Sequence, residues 1–477
     1  MNLPDALAYA MRHGRDLLDA KEELYLSALD LTLERHLWTP QFVASVRTDF
    51  TNFPDDEALR RALNTAGELS VTQRLPYGGD VTARVLHRLM RDVTDRVEKG
   101  ESGQVILEAQ LPLLRGAGSV AYESRYQAER NLIYAVRDYE RFRRTYLVGI
   151  AADYFNLQQL RANIDNTYKS YIDRADDLEK AEFIQQMGRS RNVRDAPRAR
   201  SNLRSAEADL VSAKERYATT LDRFKVRIGM PVVALLDVID QDEDKWSRTV
   251  DDLLPDVSVK LAVDVAVRQR LDLLNSADRL DDRRRGVVIA KNRVLPDLDL
   301  SGSLTMDSNP DQLRATSLRT ERATWQGGIE FRLDDRRTER NAYRASLISL
   351  RRAKRDYEES TDLVRADVRQ ALRRVFQQQN LRQIQAFNVK ENNDRLLGAR
   401  AQFNLGKADN QDVIDAANEL LRAENDLARA LASYRVSILE FRRDTGTLRI
   451  TDDGRWAMGP EDANPAGIDR GAGDNAG

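Results

Sequence analysis

The sequence predicts a mostly helical fold made of two tandem copies of one unit, with a few amphipathic β-strands in each copy. Of the 477 residues, 32% are charged and only 6% are aromatic, and Arg, Ala, Leu, Glu and Asp dominate. This composition is typical of long helices and coiled coils. Two segments of the first half recur in the second half, and four short segments alternate apolar and polar residues.

Two sequence matches indicate the duplication. Residues 6–24 align without gaps with residues 262–280, an offset of 262 − 6 = 256. Further along, Tyr217 aligns with Tyr434, an offset of 434 − 217 = 217. The first half therefore holds 256 − 217 = 39 extra residues, and the region 51–100 is their predicted place.

Both halves show the same order of elements: a helix, extended segments, a very long helix, a turn and a returning helix. At 1.5 Å per residue, each very long helix would span roughly 100 Å. In the first half, the predicted segments are a helix at 1–36, strands with an inserted hairpin at 37–114 and a long helical hairpin at 115–230. After a connector at 231–257, the second half has a helix at 258–292, strands at 293–336 and a long helical hairpin at 337–450. A disordered tail is predicted at 451–477.

Four extended segments, 42–50, 104–113, 297–306 and 324–333, alternate with a period of two. One interpretation is a small antiparallel sheet with one wet face. The other is a membrane sheet with its apolar face on lipid, which four strands cannot close alone, so several chains would contribute to one barrel. The extra residues contain a further candidate hairpin at 69–86, which either extends a strand pair outward or forms an external loop.

Composition and motifs argue against several function classes. The net charge of -2 gives no electrostatic basis for binding nucleic acid. The absence of cysteine excludes disulfides, thiolate metal sites and thiol nucleophiles, and the three histidines are scattered. No Gly-rich phosphate loop, zinc-protease motif or nucleophile elbow is present in the sequence. We therefore expect no enzyme and no cofactor.

The duplicated order of elements resembles the TolC-type outer-membrane efflux family over about residues 3–450. The segments that support this resemblance are LPDALAYAMRHGRDLLDAKEEL at the start, EAQLPLLRGAGSVAYES (108–124), RLDDRRTERNAYRASL (332–347) and FNLGKADNQDVIDAANELLRAENDLARALASYRVSILEFRRDTGTL (403–448). The resemblance implies a homotrimer in outer-membrane lipid, with four strands per chain in one shared 12-stranded barrel and with long helical hairpins that form a periplasmic tunnel.

The resemblance also implies a function. Such a channel is a passive duct of a tripartite efflux or type I secretion system, and it receives substrates from an inner-membrane pump through a periplasmic adaptor protein. The expected location is the outer membrane, extending into the periplasm, although no signal peptide is visible in this sequence. The alternative function is a soluble coiled-coil scaffold or membrane-shaping protein, which would need no lipid-facing alternation in its strands.

The resemblance places a gate at the tips of the helical hairpins, where an acidic ring from the second-half hairpin closes the tunnel. The matching residues are Asp412 and Asp415, six and nine positions after the turn residue Gly406. At the offset of 217, their first-half counterparts are Asp195 and Arg198. Three copies of each acid around one axis would favour cations and bind a blocking metal ion.

Ordinary helix capping is the alternative explanation of the acidic tip. Asp409 or Asn410 would cap the returning helix, and Asp412 would lie in its first turn, where the helix dipole favours negative charge. Capping accounts for one or two acids but gives no reason for Asp415.

The other tip residues have two interpretations as well. Arg189, Arg191 and Arg194 are either solvated surface residues or partners in a tip-to-tip Arg–Asp pair that holds the closed state, and Arg194 is therefore included in the candidate gate. Gly188 and Gly406 are turn residues first, and with Arg189 and Lys407 they are the predicted docking contacts for the adaptor.

Overall fold

The computed structural model describes residues 1–52, 61–92, 99–187, 195–239, 258–308, 321, 323–405, 407–408 and 410–451. Its helices are α1 (Leu3–His13), α2 (Arg15–His36), α3 (Glu123–Gln186), α4 (Asp195–Ile228), α5 (Val259–Gln269), α6 (Leu271–Asn292), α7 (Arg337–Asn404) and α8 (Asn410–Asp444). Its strands are β1 (Gln41–Asn52), β2 (Arg61–Arg74), β3 (Asp80–Asp92), β4 (Lys99–Pro112), β5 (Asp297–Asp307) and β6 (Thr324–Arg332).

The chain forms two compact units, each assembled from separate stretches of sequence. The first unit consists of Met1–Glu22, Arg137–Leu274 and Glu359–Gly477, and the second of Glu23–Val136 and Asn275–Glu358. Residues 240–257 of the predicted connector and residues 452–477 of the predicted disordered tail lie outside the described residues. No helix in the described part of the chain combines the length and apolarity needed to cross a membrane.

The helices predicted over 3–36 and 258–292 are each broken into two. The backbone leaves the helical conformation at Gly14 (φ -65°, ψ 118°) and at Arg270 (φ -67°, ψ 121°). The two breaks lie 270 − 14 = 256 residues apart, which is the offset of the sequence duplication. At Gly14 a Cβ would overlap the hydroxyl group of Tyr146, so the close packing of this tyrosine requires glycine there.

The ends of the corresponding helices confirm the duplication. Gly229 (φ +81°) and Gly446 (φ +74°) follow the last helix of their repeats in the left-handed conformation that favours glycine. A Cβ on Gly446 would lie 3.1 Å from the carbonyl oxygen of Gln269, and one on Gly229 would overlap the carbonyl oxygen of His13. The last helix of each repeat therefore ends against the first helix of the same repeat.

Side-chain caps begin the first helix of both repeats. The Asn2 Oδ1 atom accepts a hydrogen bond from the Asp5 backbone N–H at 2.9 Å. Ser258, which is 256 residues later, accepts one from the Leu261 N–H at 3.3 Å through its hydroxyl oxygen. Each cap satisfies one of the backbone donors that the start of a helix leaves without a partner.

The second unit contains a six-stranded antiparallel sheet in the order β1-β2-β3-β4-β5-β6. The four predicted strand segments correspond to β1, β4, β5 and β6, and the inserted hairpin forms β2 and β3. Within the described residues the sheet therefore has six strands, the four that the alternation predicted and two from the insertion. The alternation within the insertion did not show whether its strands would pair with their neighbours, and in the fold they lie in the plane of the sheet.

One face of this sheet is mainly apolar across all six strands, although it also carries His87 and Glu101, which lie 2.7 Å apart. Residues directly opposite each other on paired strands share a face, and the register matches Leu69 to Val85 and Leu304 to Trp325. The side chains of this face are not covered by the chain itself: Val46 is 78% exposed, Val85 47% and Trp325 79%. The opposite face carries mostly polar and charged residues, as the alternation predicts.

Candidate functional site

The candidate site lies where the two helical hairpins turn, after α3 and after α7. The predicted residues Gly188, Arg189, Arg194 and Gly406 lie outside the described residues, as do Arg191 and Asp409. Lys407 is described and exposed, and its backbone N–H donates to the carbonyl oxygen of Gln402 at 2.9 Å. This bond closes the end of α7, so the Lys407 side chain is presented at the second-half tip.

Asp412 and Asp415 lie on the outer face of α8. Both are exposed, whereas Val413 and Ala416 between and beside them are buried, at 3% and 1% exposure. The two buried residues pack with Leu396 of α7. Because residues three apart lie on one face of a helix, both carboxylates point away from the core of their own hairpin.

The two acids differ in their structural roles. Asp412 lies in the first turn of α8, where a negative charge interacts favourably with the helix dipole. Asp415 lies one turn further, and its Oδ1 atom accepts a hydrogen bond from the Gln411 side chain at 2.9 Å. The start of the helix accounts for Asp412, but it does not require an acid at position 415.

The first-half tip is built in the same way. Asp195 lies in the first turn of α4, and Ala196 and Ala199 are buried against Ala181 of α3. These two alanines correspond to Val413 and Ala416 at the offset of 217. Arg198 is exposed at the position that corresponds to Asp415. The two tips therefore share their packing and differ in the charge that they present.

An ion pair joins the two hairpins at some distance from the tips. The Arg400 Nη2 atom of α7 lies 2.7 Å from the Asp173 Oδ2 atom of α3, and both side chains are partly exposed. One of the two interpretations of the sequence was an Arg–Asp pair between the hairpins, formed by the tip arginines. No local pattern marks Arg400, because its partner is 400 − 173 = 227 residues away in the sequence.

Two further polar contacts lie along the same seam between α3 and α8. The Arg174 guanidinium donates to the side-chain oxygen of Asn418. The Asn166 amide donates to the Asn425 Oδ1 atom at 3.1 Å. Together with Arg400 and Asp173, these residues form what we call the polar seam, which ties the long helix of the first hairpin to both helices of the second.

Asp173 and Arg400 of the polar seam also line a small acidic cavity of about 100 Å³. Burial raises the pKa of the Asp177 carboxyl above its usual range, and the positive charges of Arg400 and Lys180 offset this only in part. Burial also lowers the pKa of the Arg174 guanidinium, against the attraction of nearby aspartates. The cavity is lined by Asp173, Asp176, Asp177, Lys180, Arg400, Phe403 and Val413.

Residues 262–447, which cover α5 to α8 and the two strands between them, match the model of the outer membrane efflux protein family. The second repeat is therefore similar to the outer membrane efflux proteins. The match confirms the resemblance to the TolC-type outer-membrane efflux family, and a transport family agrees with the prediction that the protein is not an enzyme. The family also agrees with the predicted location, the outer membrane extending into the periplasm.

Solved structures of outer-membrane channels share this fold over nearly the whole chain. The outer-membrane channel OprN is 16% identical, with a TM-score of 0.70 over 93% of this chain and 90% of its own. The CmeC channel of Campylobacter jejuni is 16% identical, with a TM-score of 0.66 over 94% of this chain and 86% of its own.

The outer membrane protein VceC of Vibrio cholerae is 15% identical, with a TM-score of 0.66 over 93% of this chain and 96% of its own. Among curated proteins, none matches the sequence significantly. The structural matches confirm the predicted fold class, a mostly helical chain of duplicated hairpins with a sheet, and they extend it to the first repeat.

Proposed function

We propose that this protein is the outer-membrane duct of a tripartite efflux or type I secretion system. In this proposal three copies of the chain form a passive channel, to which an inner-membrane pump delivers substrates through a periplasmic adaptor protein. The observation that carries the proposal is the sheet: it has an exposed, mainly apolar face across all six strands and two edges, β1 and β6, that have no partner strand within the described residues.

The sheet edges indicate how copies of the chain associate. In lipid, each unpaired backbone N–H or C=O group costs several kcal/mol, so an open edge is not stable there. In an antiparallel sheet of six strands, β1 and β6 run in opposite directions. The β1 strand of one copy therefore fits antiparallel beside the β6 strand of the next, and repetition around an axis closes a barrel.

The exposed acids of α8 supply the gate in this assembly. Asp412 and Asp415 point away from their own hairpin, so three copies brought around one axis would place six carboxylates near each other. Like charges at that distance repel and attract cations into the constriction. The polar seam then holds the hairpins of each chain together and sets how easily the tips separate.

The adaptor docks at the turns of the hairpins in this proposal. Lys407 is exposed beyond the end of α7, and the predicted contacts Gly188, Arg189 and Gly406 lie in the sequence between the helices of the two hairpins. In this proposal a helical hairpin of the partner binds beside the exposed Lys407. Mutations at Lys407 would then weaken adaptor binding without changing the channel itself.

Fractionation of cells that express the full-length protein tests the proposal. We expect the protein in the outer-membrane fraction, from which detergent extracts a trimer that dissociates on heating. A monomer or dimer in the cytosolic fraction would overturn the proposal and favour the soluble scaffold instead. A trimer in the outer membrane that gives no conductance in planar bilayers would contradict the channel function alone.

A further inference from the structure

We infer that the inserted hairpin widens the channel, so that a closed trimer of this protein has a barrel of 18 strands, six from each copy. The inference rests on the proposed trimeric outer-membrane channel and replaces the 12-stranded barrel that four strands per chain would give. It assigns a role to the extra residues of the first repeat, and it implies that the outer end of the duct passes bulky solutes.

The hairpin separates strands that would otherwise be neighbours. β2 pairs with β1 from Gln41↔Thr72 to Asn52↔Arg61, along the whole of β1. β3 pairs with β4 from Asp80↔Gln110 to Arg91↔Lys99. β1 and β4 therefore contact the hairpin rather than each other, and the sheet is continuous only through β2 and β3.

The turn of the hairpin is fixed beside the end of β4. The Tyr77 carbonyl oxygen accepts a hydrogen bond from the Gly118 N–H at 2.8 Å. Gly78 (φ +106°) lies so close that a Cβ on it would be 2.7 Å from the carbonyl oxygen of Gly116. On β2, the Gln73 side chain donates to the Trp38 carbonyl oxygen at 2.6 Å. These contacts hold the turn against the strand–helix junctions of the same unit.

Over most of their length the two faces of the hairpin match the two sides of a membrane barrel, and His87 of β3 contacts Glu101 of β4 at the end far from the turn. Leu69 and Val85 are paired on the apolar face, and both are exposed. On the other face, the Arg84 guanidinium lies 2.9 Å from the Glu68 carboxylate and 3.9 Å from that of Glu108 on β4. A partly exposed charged triad needs water, so this face lines the lumen while the apolar face contacts lipid.

The number of inserted strands is compatible with closure. With two extra strands per chain, every pair of neighbouring strands in the closed barrel is antiparallel. With one extra strand, the first strand of one copy and the last strand of the next would run parallel. With strands about 4.8 Å apart and tilted by about 40°, a 12-stranded barrel has a backbone diameter of about 24 Å and an 18-stranded barrel about 36 Å. The cross-section therefore increases by about 2.3-fold, which favours bulky solutes.

Single-cysteine labelling in reconstituted full-length trimers tests whether the hairpin lies in the barrel wall. The natural chain has no cysteine, so each substitution gives one labelling site. Val85→Cys lies on the apolar face of the hairpin, Ser70→Cys on its polar face, and Leu107→Cys on the apolar face of β4 is the matched control. Each carries a fluorophore that brominated lipid quenches on contact.

We expect the label at position 85 to lose its fluorescence to the same extent as the label at 107, and the label at 70 to keep it. Quenching at 107 but not at 85 would place the hairpin outside the barrel and overturn the inference, while the proposed function stands. No quenching at 107 would remove the proposed function itself. Electron cryo-microscopy of the detergent-extracted trimer then counts the strands, and 12 instead of 18 would contradict the inference.

Discussion

Arg400 in the long helix of the second repeat is ion-paired with Asp173 in the long helix of the first, with 2.7 Å between Nη2 and Oδ2. The pair is one of the polar-seam contacts that join the two hairpins, each of which has its own small buried cluster. If export requires the hairpin tips to move apart, this bond must break. The pair is therefore the first target for experiments on opening.

We predict that Asp173→Ala increases the open probability of the channel in planar bilayers. A partly exposed ion pair contributes about 0.2 to 1 kcal/mol, which corresponds to a change of about 1.5- to 5-fold. The matched control is Glu182→Ala, which removes an ion pair with Arg200 within the first hairpin, 2.6 Å long. An equal effect of both substitutions would show that the pair between hairpins has no special role in opening.

Neutralising the two exposed acids of α8 should change ion selectivity. We predict that the double variant Asp412→Ala and Asp415→Ala loses cation preference and block by multivalent cations, because the carboxylates no longer concentrate cations at the constriction. Glu419→Gln, on the same exposed face and one turn beyond Asp415, is the control. Unchanged reversal potentials in salt gradients would remove the gate role from these residues.

The difference between the two tips gives a gain-of-function prediction. Arg198 is exposed where the second repeat has Asp415, and the packing around both positions is equivalent. Arg198→Asp should therefore strengthen cation preference, since it adds an acid and removes a base at each copy of the first-half tip. Arg198→Ala separates the two contributions and should give an intermediate shift in reversal potential. A shift toward anions in either variant contradicts the placement of this tip near the pore.

The acidic cavity predicts a pH-dependent effect on stability. Burial raises the pKa of the Asp177 carboxyl, despite Arg400 and Lys180, so folding makes this group easier to protonate than it is in the unfolded chain. The contribution of the Asp177 carboxyl to folding stability is fully present below its pKa of about 4 in the unfolded chain. This contribution is lost as the pH rises through the higher pKa of the folded state. Asp177→Asn should therefore raise the melting temperature at neutral pH, and this gain should shrink as the pH falls.

The neighbouring exposed residue provides the control for this measurement. Asp176→Asn removes the same charge beside the same cavity from an exposed position, so it carries little burial cost. We expect it to leave the melting temperature nearly unchanged. If Asp177→Asn lowers the melting temperature at neutral pH, attraction to Arg400 outweighs burial and the argument for Asp177 fails.

Periodicity predicted the elements that a local pattern can encode. The constant offsets gave the duplication, and they recur in the structure as the paired caps Asn2 and Ser258 and the paired glycines Gly229 and Gly446. The period of two gave β1, β4, β5 and β6. These features depend on residues close in sequence or on self-similarity, both of which one sequence contains.

Features that depend on distant packing were not predictable in the same way. The break at Arg270 lies in a segment without Gly or Pro, and it forms where the end of α5 meets Gly446. The polar seam joins residues more than 200 positions apart. Apolar and polar residues alternate along the inserted hairpin in the same way whether it lies in the sheet or protrudes from it. Only the pairing of its strands with β1 and β4 shows that it lies in the sheet.

Disulfide cross-linking between the two sheet edges tests the central claim, a closed trimer joined through β1 and β6, most directly. A cysteine replaces Ser45 in β1, and a second replaces Gln326, Gly328 or Glu330 of β6 in turn, in the otherwise cysteine-free chain. On oxidation in native outer membranes, one of the three pairs should give a covalent trimer that survives heating and disappears on reduction. Only monomers with every pair, or a ladder that continues beyond three chains, would contradict the account.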